Sequence, residues 1–262
     1  MNRLRLLVLV GVLAFVANVT SLGNGFVYDD GVIIEENPRV LDATKMGDIL
    51  TTPYWGSRAG GGLYRPVATF TYALNHRAGG LNPFGYHLVN VLLHACVSVL
   101  VALVAASFLP IWFAALAGAL FAVHPIHVEA VANVVGRAEL LAAFGFIGAW
   151  LAARRARQAG GARSDGGGRS TSGSIAWRLI AAFLYGVALF SKEVAVGLPV
   201  ALLVADWLER RRPDWLLSAF LFGMLGLYLF ARWKVLGSVG LPKEFVIYRL
   251  DNVIATQPFL PG

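Results

Sequence analysis

Two adjacent carboxylates, Asp29 and Asp30, follow Tyr28 just beyond an apolar run that starts at Leu4. A carboxylate held at the mouth of a cleft can take the proton of a hydroxyl nucleophile as a general base. The same pair can equally form a solvated turn or cap the segment that follows. A second group of ionisable residues runs His124-Pro125-Ile126-His127-Val128-Glu129 and continues to Gly136-Arg137-Ala138-Glu139. A spacing of three can place two imidazoles on one helical face as metal ligands. Pro125 complicates a helix starting at His124, and no HExxH pattern is present, so structural histidines at a helix entry are the favoured reading and no metal site is assigned. Three cations, Arg65, Arg137 and Lys192, have the chemistry to hold a phosphate, Arg by its planar fork and Lys as a point charge. They can instead pair with neighbouring acids, as the sequences Arg137-Ala138-Glu139 and Lys192-Glu193 permit. There is no phosphate-binding glycine loop, dinucleotide fingerprint or nucleophile elbow.

The elements that must carry these residues are apolar. A helix needs roughly 20 apolar residues to cross a bilayer. The candidate runs are Leu4–Leu22, Leu88–Phe108, the short Ile111–Val123, Leu140–Ala153, Trp177–Phe190, Val194–Leu208 and Trp215–Ala231. They predict an all-α, multi-pass membrane protein with about seven transmembrane helices. The first run is read as an uncleaved anchor, because no small-x-small cleavage site precedes Phe26.

Arginines orient the spans. Arg3 and Arg5 precede the first run, Arg154, Arg155, Arg157, Arg163 and Arg169 follow the fourth, and Arg210, Arg211 and Arg212 follow the sixth. With a cytoplasmic N-terminus and alternating spans, all three clusters fall on the cytoplasmic side, as the positive-inside rule requires. The chain then reads as one membrane domain over residues 1–262, with a large first extracytoplasmic loop at 23–87 and a cytoplasmic linker at 154–176. Within that linker, Gln158–Ser174 is rich in Gly, Ser and Arg. Within the outer loop, Val67–Arg77 has the pattern of an amphipathic helix lying on the membrane. The same topology brings Asp29, Asp30, Glu129, Arg137, Glu139, Lys192 and Glu193 to the outer ends of spans. Charges near membrane depth are costly unless paired or facing a wet cavity, which points to one polar outer cleft.

Composition agrees. Hydrophobic residues make up 57% of the chain and charged residues only 14%, a balance that favours a bilayer over water. The net charge of +7 does not signal nucleic acid, because the basic residues sit in short clusters between apolar runs and not in one patch interleaved with aromatics. The single cysteine, Cys96, lies inside an apolar run and reads as a small packed hydrophobe.

Taken together, Tyr28-Asp29-Asp30, Tyr64-Arg65-Pro66, the stretch from Phe84 to His94, His124 to Val131, Val135 to Glu139 and Ser191-Lys192-Glu193, in this order, resemble the membrane part of the transmembrane O-mannosyltransferases with tetratricopeptide repeats and of their bacterial relatives. That family looks like the GT-C superfamily of glycosyltransferases. The resemblance implies transfer of a sugar, such as mannose, from a polyprenyl-phosphate lipid donor to a hydroxyl of a protein or glycan acceptor on the outward face of a bacterial inner membrane. It implies Asp29 or Asp30 as the catalytic base. It implies Arg137, Lys192 and Arg65 as ligands of the donor phosphate, with His124, His127, Glu129, Glu139 and Glu193 lining the cleft. A lipid monophosphate requires no metal, and no cofactor is implied.

The resemblance departs at the end of the chain. Enzymes of this kind have more than about seven spans, and the tetratricopeptide repeats are absent, so the chain reads as an N-terminal portion. The competing reading is a transporter or lipid-binding protein, or a non-catalytic protein on the same scaffold. A transporter would hold its ionisable residues near the bilayer midplane on broken helices, whereas here they gather at one face.

Overall fold

The computed structural model describes residues 2–56, 62–161 and 171–238. All regular structure among them is helical. Helix α1 (Arg3–Ala17) begins at Asn2, whose side chain accepts from the Arg5 N–H at 3.0 Å. It stops at Asn18, whose amide folds back to donate to the Ala14 carbonyl at 2.9 Å, and one tighter turn, Val19–Gly23, follows. The run expected over Leu4–Leu22 is therefore divided, and α1 by itself is only about 22 Å long.

The segment expected as the first outer loop, 23–87, folds onto the end of the bundle. A wide turn at Gly31–Glu35 leads to a one-turn helix, α2 (Pro38–Leu41), then a tight helical stretch at Ala43–Leu50, then α3 (Pro66–Gly79). Arg39 pins the loop from within. Its buried guanidinium donates to Asn37 Oδ1 at 3.1 Å and to the carbonyls of Pro53 and Tyr54 at 2.9 Å each. Ile33, Ile34, Val40, Tyr54 and Tyr72 from the loop pack with Tyr86, Val134 and Leu141 from the bundle. The amphipathic helix expected at Val67–Arg77 is thus present as α3, with Ala68, Thr69, Tyr72 and Ala73 buried.

The bundle continues with α4 (Pro83–Ala105), α5 (Ile111–Val123), α6 (Val128–Ala132), α7 (Arg137–Gly161), α8 (Thr171–Ser191), α9 (Leu198–Leu208) and α10 (Trp215–Leu236). Asn82 caps α4, accepting from the Phe84 N–H at 3.1 Å, and Pro83 supplies the fixed φ of a first helical residue. His87, Asn90, His94 and Ser98 form a polar stripe along α4 and are all buried, while Phe84 and Leu92 are exposed. In lipid, a polar stripe must face protein, and this one meets carbonyls of neighbouring helices. Helices α7 and α8 pack through small residues. A Cβ added at Gly145 would stand 2.5 Å from the Leu184 carbonyl oxygen, so this close approach needs glycine.

The chain is an integral membrane protein by the length and apolarity of its helices. Among the described residues four segments, Pro83–Ala105, Val134–Ala159, Ser174–Ser191 and Trp215–Leu236, are long and apolar enough to cross a bilayer. The pair Ile111–Val123 and Pro125–Ala132 also qualifies, bent by 50°, which raises the number to five. The seven expected from apolar runs are not reached by this measure, because Asn18 ends α1 early and α9 has only 11 residues. Helical residues enter both ends of the stretch expected as a linker, 154–176. Helix α7 runs to Gly161 and α8 starts at Thr171, while residues 162–170 lie outside the described residues. The outer segment expected after Arg232 begins inside α10, and its residues 239–262 likewise lie outside the described residues.

The two ends of α7 are chemically different. Toward its C-terminus, Arg157 pairs with Asp206 at 2.8 Å and Arg154 with Glu209 at 3.4 Å, and nearby Arg178 pairs with Asp214 at 3.0 Å. Toward its N-terminus lies the acidic and basic cluster described below. If these ends lie on opposite sides of the bilayer, a Thr51→Cys variant and a Ser107→Cys variant, each in a Cys96→Ser background, should label from opposite faces with an impermeant thiol reagent. Labelling of both from the same face would overturn that arrangement.

Candidate active site

The Tyr28-Asp29-Asp30 turn separates its two carboxylates. Tyr28 sits in the left-handed region at φ 49° and is 92% exposed. That conformation is costly for a bulky residue and is held here by the contacts of its neighbours. Asp30 is fully buried. Its carboxylate accepts from the Val27 N–H and from the Val135 N–H, each at 3.0 Å, and so ties the end of the turn to the entry of α7. Burial pushes the Asp30 carboxyl above the ordinary aspartate value, and backbone N–H groups of Val27, Val135 and Val134 pull partly against that shift. Asp29 points the other way and is exposed, at the wall of a cavity of about 160 Å³.

That cavity is lined by Asp29, Glu129, Glu139 and Arg65, with Tyr54, Trp55 and Asn133 completing much of its wall. The cavity therefore joins the first outer loop to the α6–α7 entry. The local fold there depends on Gly136, because a Cβ at that position would collide with the backbone of Ala130. Asn133 organises the same turn, its side chain accepting from the Val135 N–H at 3.3 Å.

Two ion pairs edge the cavity. Arg65 grips Glu193 with both arms of its fork, Nη2 to Oε1 at 2.9 Å and Nε to Oε2 at 3.2 Å, and its guanidinium lies 5.4 Å from the Tyr54 ring centre. Burial pushes the Glu193 carboxyl up, but the hydrogen bonds from Arg65, one from its own backbone N–H and the charges of Arg65 and Arg232 together outweigh it and hold Glu193 below the ordinary glutamate value. Lys192 Nζ donates to Glu139 Oε1. Both pairs tie α8's end to the outer-loop and α7 side of the cavity.

Arg137 is placed differently from expectation. It is fully buried behind the cavity wall. Nε donates to Asn90 Oδ1 at 2.9 Å, Nη2 to the Tyr86 carbonyl at 2.8 Å, and Nη1 to Asn75 Oδ1 and Thr71 Oγ1. The Tyr72 and Tyr86 rings lie 4.9 and 5.8 Å from the guanidinium carbon. Its donors are spent within the protein, so it holds α3, α4 and α7 together and presents nothing to the cavity. Asn90 is the partner that sequence reading missed: besides receiving Arg137, its amide donates to the carbonyls of Asn133 at 3.0 Å and Val134 at 3.2 Å. The signal available was its place in α4's polar stripe.

His124 and His127 are also elsewhere. The His124 ring accepts from the Ile126 N–H at 3.2 Å, capping the break between α5 and α6. His127 stacks against Phe121 at 4.1 Å and lies 5.5 Å from the His94 ring, while His94 Nε2 meets the Ala122 carbonyl at 3.0 Å. Neither histidine lines the cavity, and among the described residues no group of three or more His, Cys, Asp or Glu could hold a metal ion.

Searches for similar proteins return protein O-mannosyl-transferases. The chain is 45% identical to protein O-mannosyl-transferase Tmtc1 of Drosophila melanogaster over 148 residues, which is 55% of this chain and 17% of that protein. It is 37% identical to protein O-mannosyl-transferase TMTC3 of Homo sapiens over 182 residues, 67% of this chain and 19% of that protein. It is 35% identical to protein O-mannosyl-transferase TMTC4 of Homo sapiens over 206 residues, 71% of this chain and 27% of that protein. The matches support that family for the aligned part, although the chain spans only about a fifth to a quarter of the length of these relatives. The relatives come from animals and add nothing to a bacterial inner-membrane placement. No family model matches the chain, and no solved structure matches it.

The Arg137 network yields a stability prediction. Removing one partner of a buried, fully bonded charge costs about 3–5 kcal/mol. Asn90→Leu should therefore lower the unfolding midpoint in detergent sharply, and Arg137→Leu by a similar amount. The double variant should lose much less than the sum, because each single change strands the other's polar atoms. Additive losses would show that the two side chains are energetically independent.

Proposed function

We propose that this chain forms the membrane domain, or part of it, of a protein O-mannosyl-transferase of the GT-C type. It transfers mannose from a polyprenyl-phosphate lipid to a protein Ser or Thr hydroxyl on the non-cytoplasmic face of the membrane. The names of the relatives support the sugar and the protein acceptor. The lipid donor comes from the sequence resemblance, the face from the resemblance and the arginine distribution, and a seven-span topology from the apolar runs. The observation that carries the reading is the division within the acidic pair: Asp30 is spent on backbone N–H groups, while Asp29 is open to a cavity edged by Arg65 and Lys192.

In this reading the acceptor oxygen attacks C1 of the sugar as the C1–O bond to phosphate breaks, and Asp29 takes the hydroxyl proton. A single displacement inverts the anomeric centre. The leaving phosphate gains charge and needs cations in place. Arg65 and Lys192 serve, each exchanging its carboxylate partner, Glu193 or Glu139, for phosphate oxygens as the donor enters. Arg137 keeps the wall in place from behind. The cavity is smaller than an ordinary ligand pocket of about 300–1,000 Å³, so it corresponds to the reacting centre, with the rest of the donor lying outside it. A transporter reading is weaker, because the polar groups deepest in the bundle are bonded to helix carbonyls.

The test uses the full-length protein and a polyprenyl-phosphate mannose donor. Asp29→Asn should lower transfer by about a hundredfold or more with normal membrane insertion, the scale for losing a positioned base. Asp30→Asn should lower the yield of folded protein, with the folded fraction retaining most of its activity. Near-normal transfer by Asp29→Asn would exclude Asp29 as the base and pass the role to Glu129 or Glu139.

A further inference from the structure

At the opposite end of α7 from the acidic cavity is a larger one, about 580 Å³, that the proposed reaction does not use. Its walls come from three directions: Leu100 and Leu103 of α4, Gly148 and Leu151 of α7, and Trp177, Ile180 and Leu184 of α8. It is apolar in its depth and basic at its mouth, where Arg3, Arg154 and Arg155 converge. These arginines differ. Arg154 is occupied, paired with Glu209 at 3.4 Å and set 5.0 Å from the Phe108 ring centre. Arg3 and Arg155 are exposed, and neither makes an ion pair or side-chain hydrogen bond among the described residues. At this end Arg157 pairs with Asp206, Arg178 with Asp214 and Arg211 with Glu209, while Arg5, Arg210 and Arg212, which do not line the cavity, make no ion pair among the described residues. Two cations without an ion pair among the described residues thus share the lining of an apolar slot between helices with Trp177, a residue type favoured at membrane interfaces.

We propose that this cavity binds one anionic phospholipid, its phosphate between Arg3 and Arg155 and one acyl chain in the slot along Leu103, Leu151, Ile180 and Leu184. The charge complementarity selects an anionic head group, and the apolar walls select a lipid over a free phosphate. Basic clefts between transmembrane helices recognise anionic head groups by this combination. The bound lipid bridges α1, α7 and α8, which otherwise converge here around a hollow, and so stabilises the fold from the end remote from the acidic cavity. This inference does not depend on the transferase reading.

The experiment measures thermal unfolding of the purified full-length protein in a neutral detergent while phosphatidylglycerol, phosphatidylcholine or inorganic phosphate is added. Phosphatidylglycerol should raise the midpoint saturably and the other two should not. The Arg3→Gln, Arg155→Gln double variant changes only exposed side chains, and should need roughly thirtyfold more phosphatidylglycerol for the same effect. Ile180→Trp fills the slot from its exposed side and leaves both arginines in place; it should also abolish the effect. Equal protection by phosphatidylcholine or by inorganic phosphate would overturn the proposal. So would an Ile180→Trp variant that keeps the full response, since binding would then be surface attraction without a slot.

Discussion

The structure around the acidic cavity depends on one buried cation. Arg137 begins α7 with its guanidinium sealed from solvent, and the cost of that burial is offset by four acceptors on two other helices: Asn90 and the Tyr86 carbonyl on α4, and Asn75 and Thr71 on α3. A planar fork can satisfy acceptors in these fixed directions, and an ammonium cannot. This geometry sets how α3 lies across the ends of α4 and α7, and so where the outer loop rests. Asn90 then passes the constraint on, because its amide grips the carbonyls of the α6–α7 turn that also presents the Val135 N–H to Asp30.

Through that chain of bonds, a cation in the bundle decides what the two aspartates do. Asp30 is drawn inward to two backbone N–H groups, and the strained Tyr28 lets its neighbour turn outward. Adjacent residues with the same side chain thereby acquire opposite environments, one dry and bonded, the other open to a cavity. At the cavity Arg65 is held with Glu193 and Lys192 with Glu139, and Asp29 and Glu129 stand in the wall as further carboxylates, so acids outnumber cations there. Such pairs keep cations near a reaction centre without the cost of leaving them alone at membrane depth.

The far end of the bundle uses the same currency less completely. Arg154, Arg157, Arg178 and Arg211 there pair with Glu209, Asp206 and Asp214, but Arg3 and Arg155, at the apolar cavity between α4, α7 and α8, make no ion pair among the described residues. Both ends reflect one rule: charges close to a bilayer are retained where something pairs them, and an unmatched pair beside a hollow is a binding opportunity.

What the sequence determined by itself was whatever depends on composition along the chain. The apolar runs predicted a helical membrane protein, and the pattern at Val67–Arg77 predicted the helix found as α3. The gathering of charged residues at span ends was legible too, and so was the family resemblance carried by those motifs. Span number was less legible, because hydropathy does not register the side-chain cap at Asn18 that ends α1, nor the break before α9. Only the tertiary structure separated Asp29 from Asp30, withdrew Arg137 from the cavity, and set His127 against Phe121 and His94. The physical reason is distance along the chain. Asp30 meets Val135 across 105 residues and Arg65 meets Glu193 across 128, and a local pattern can show that a residue needs a partner but not which one the fold will bring.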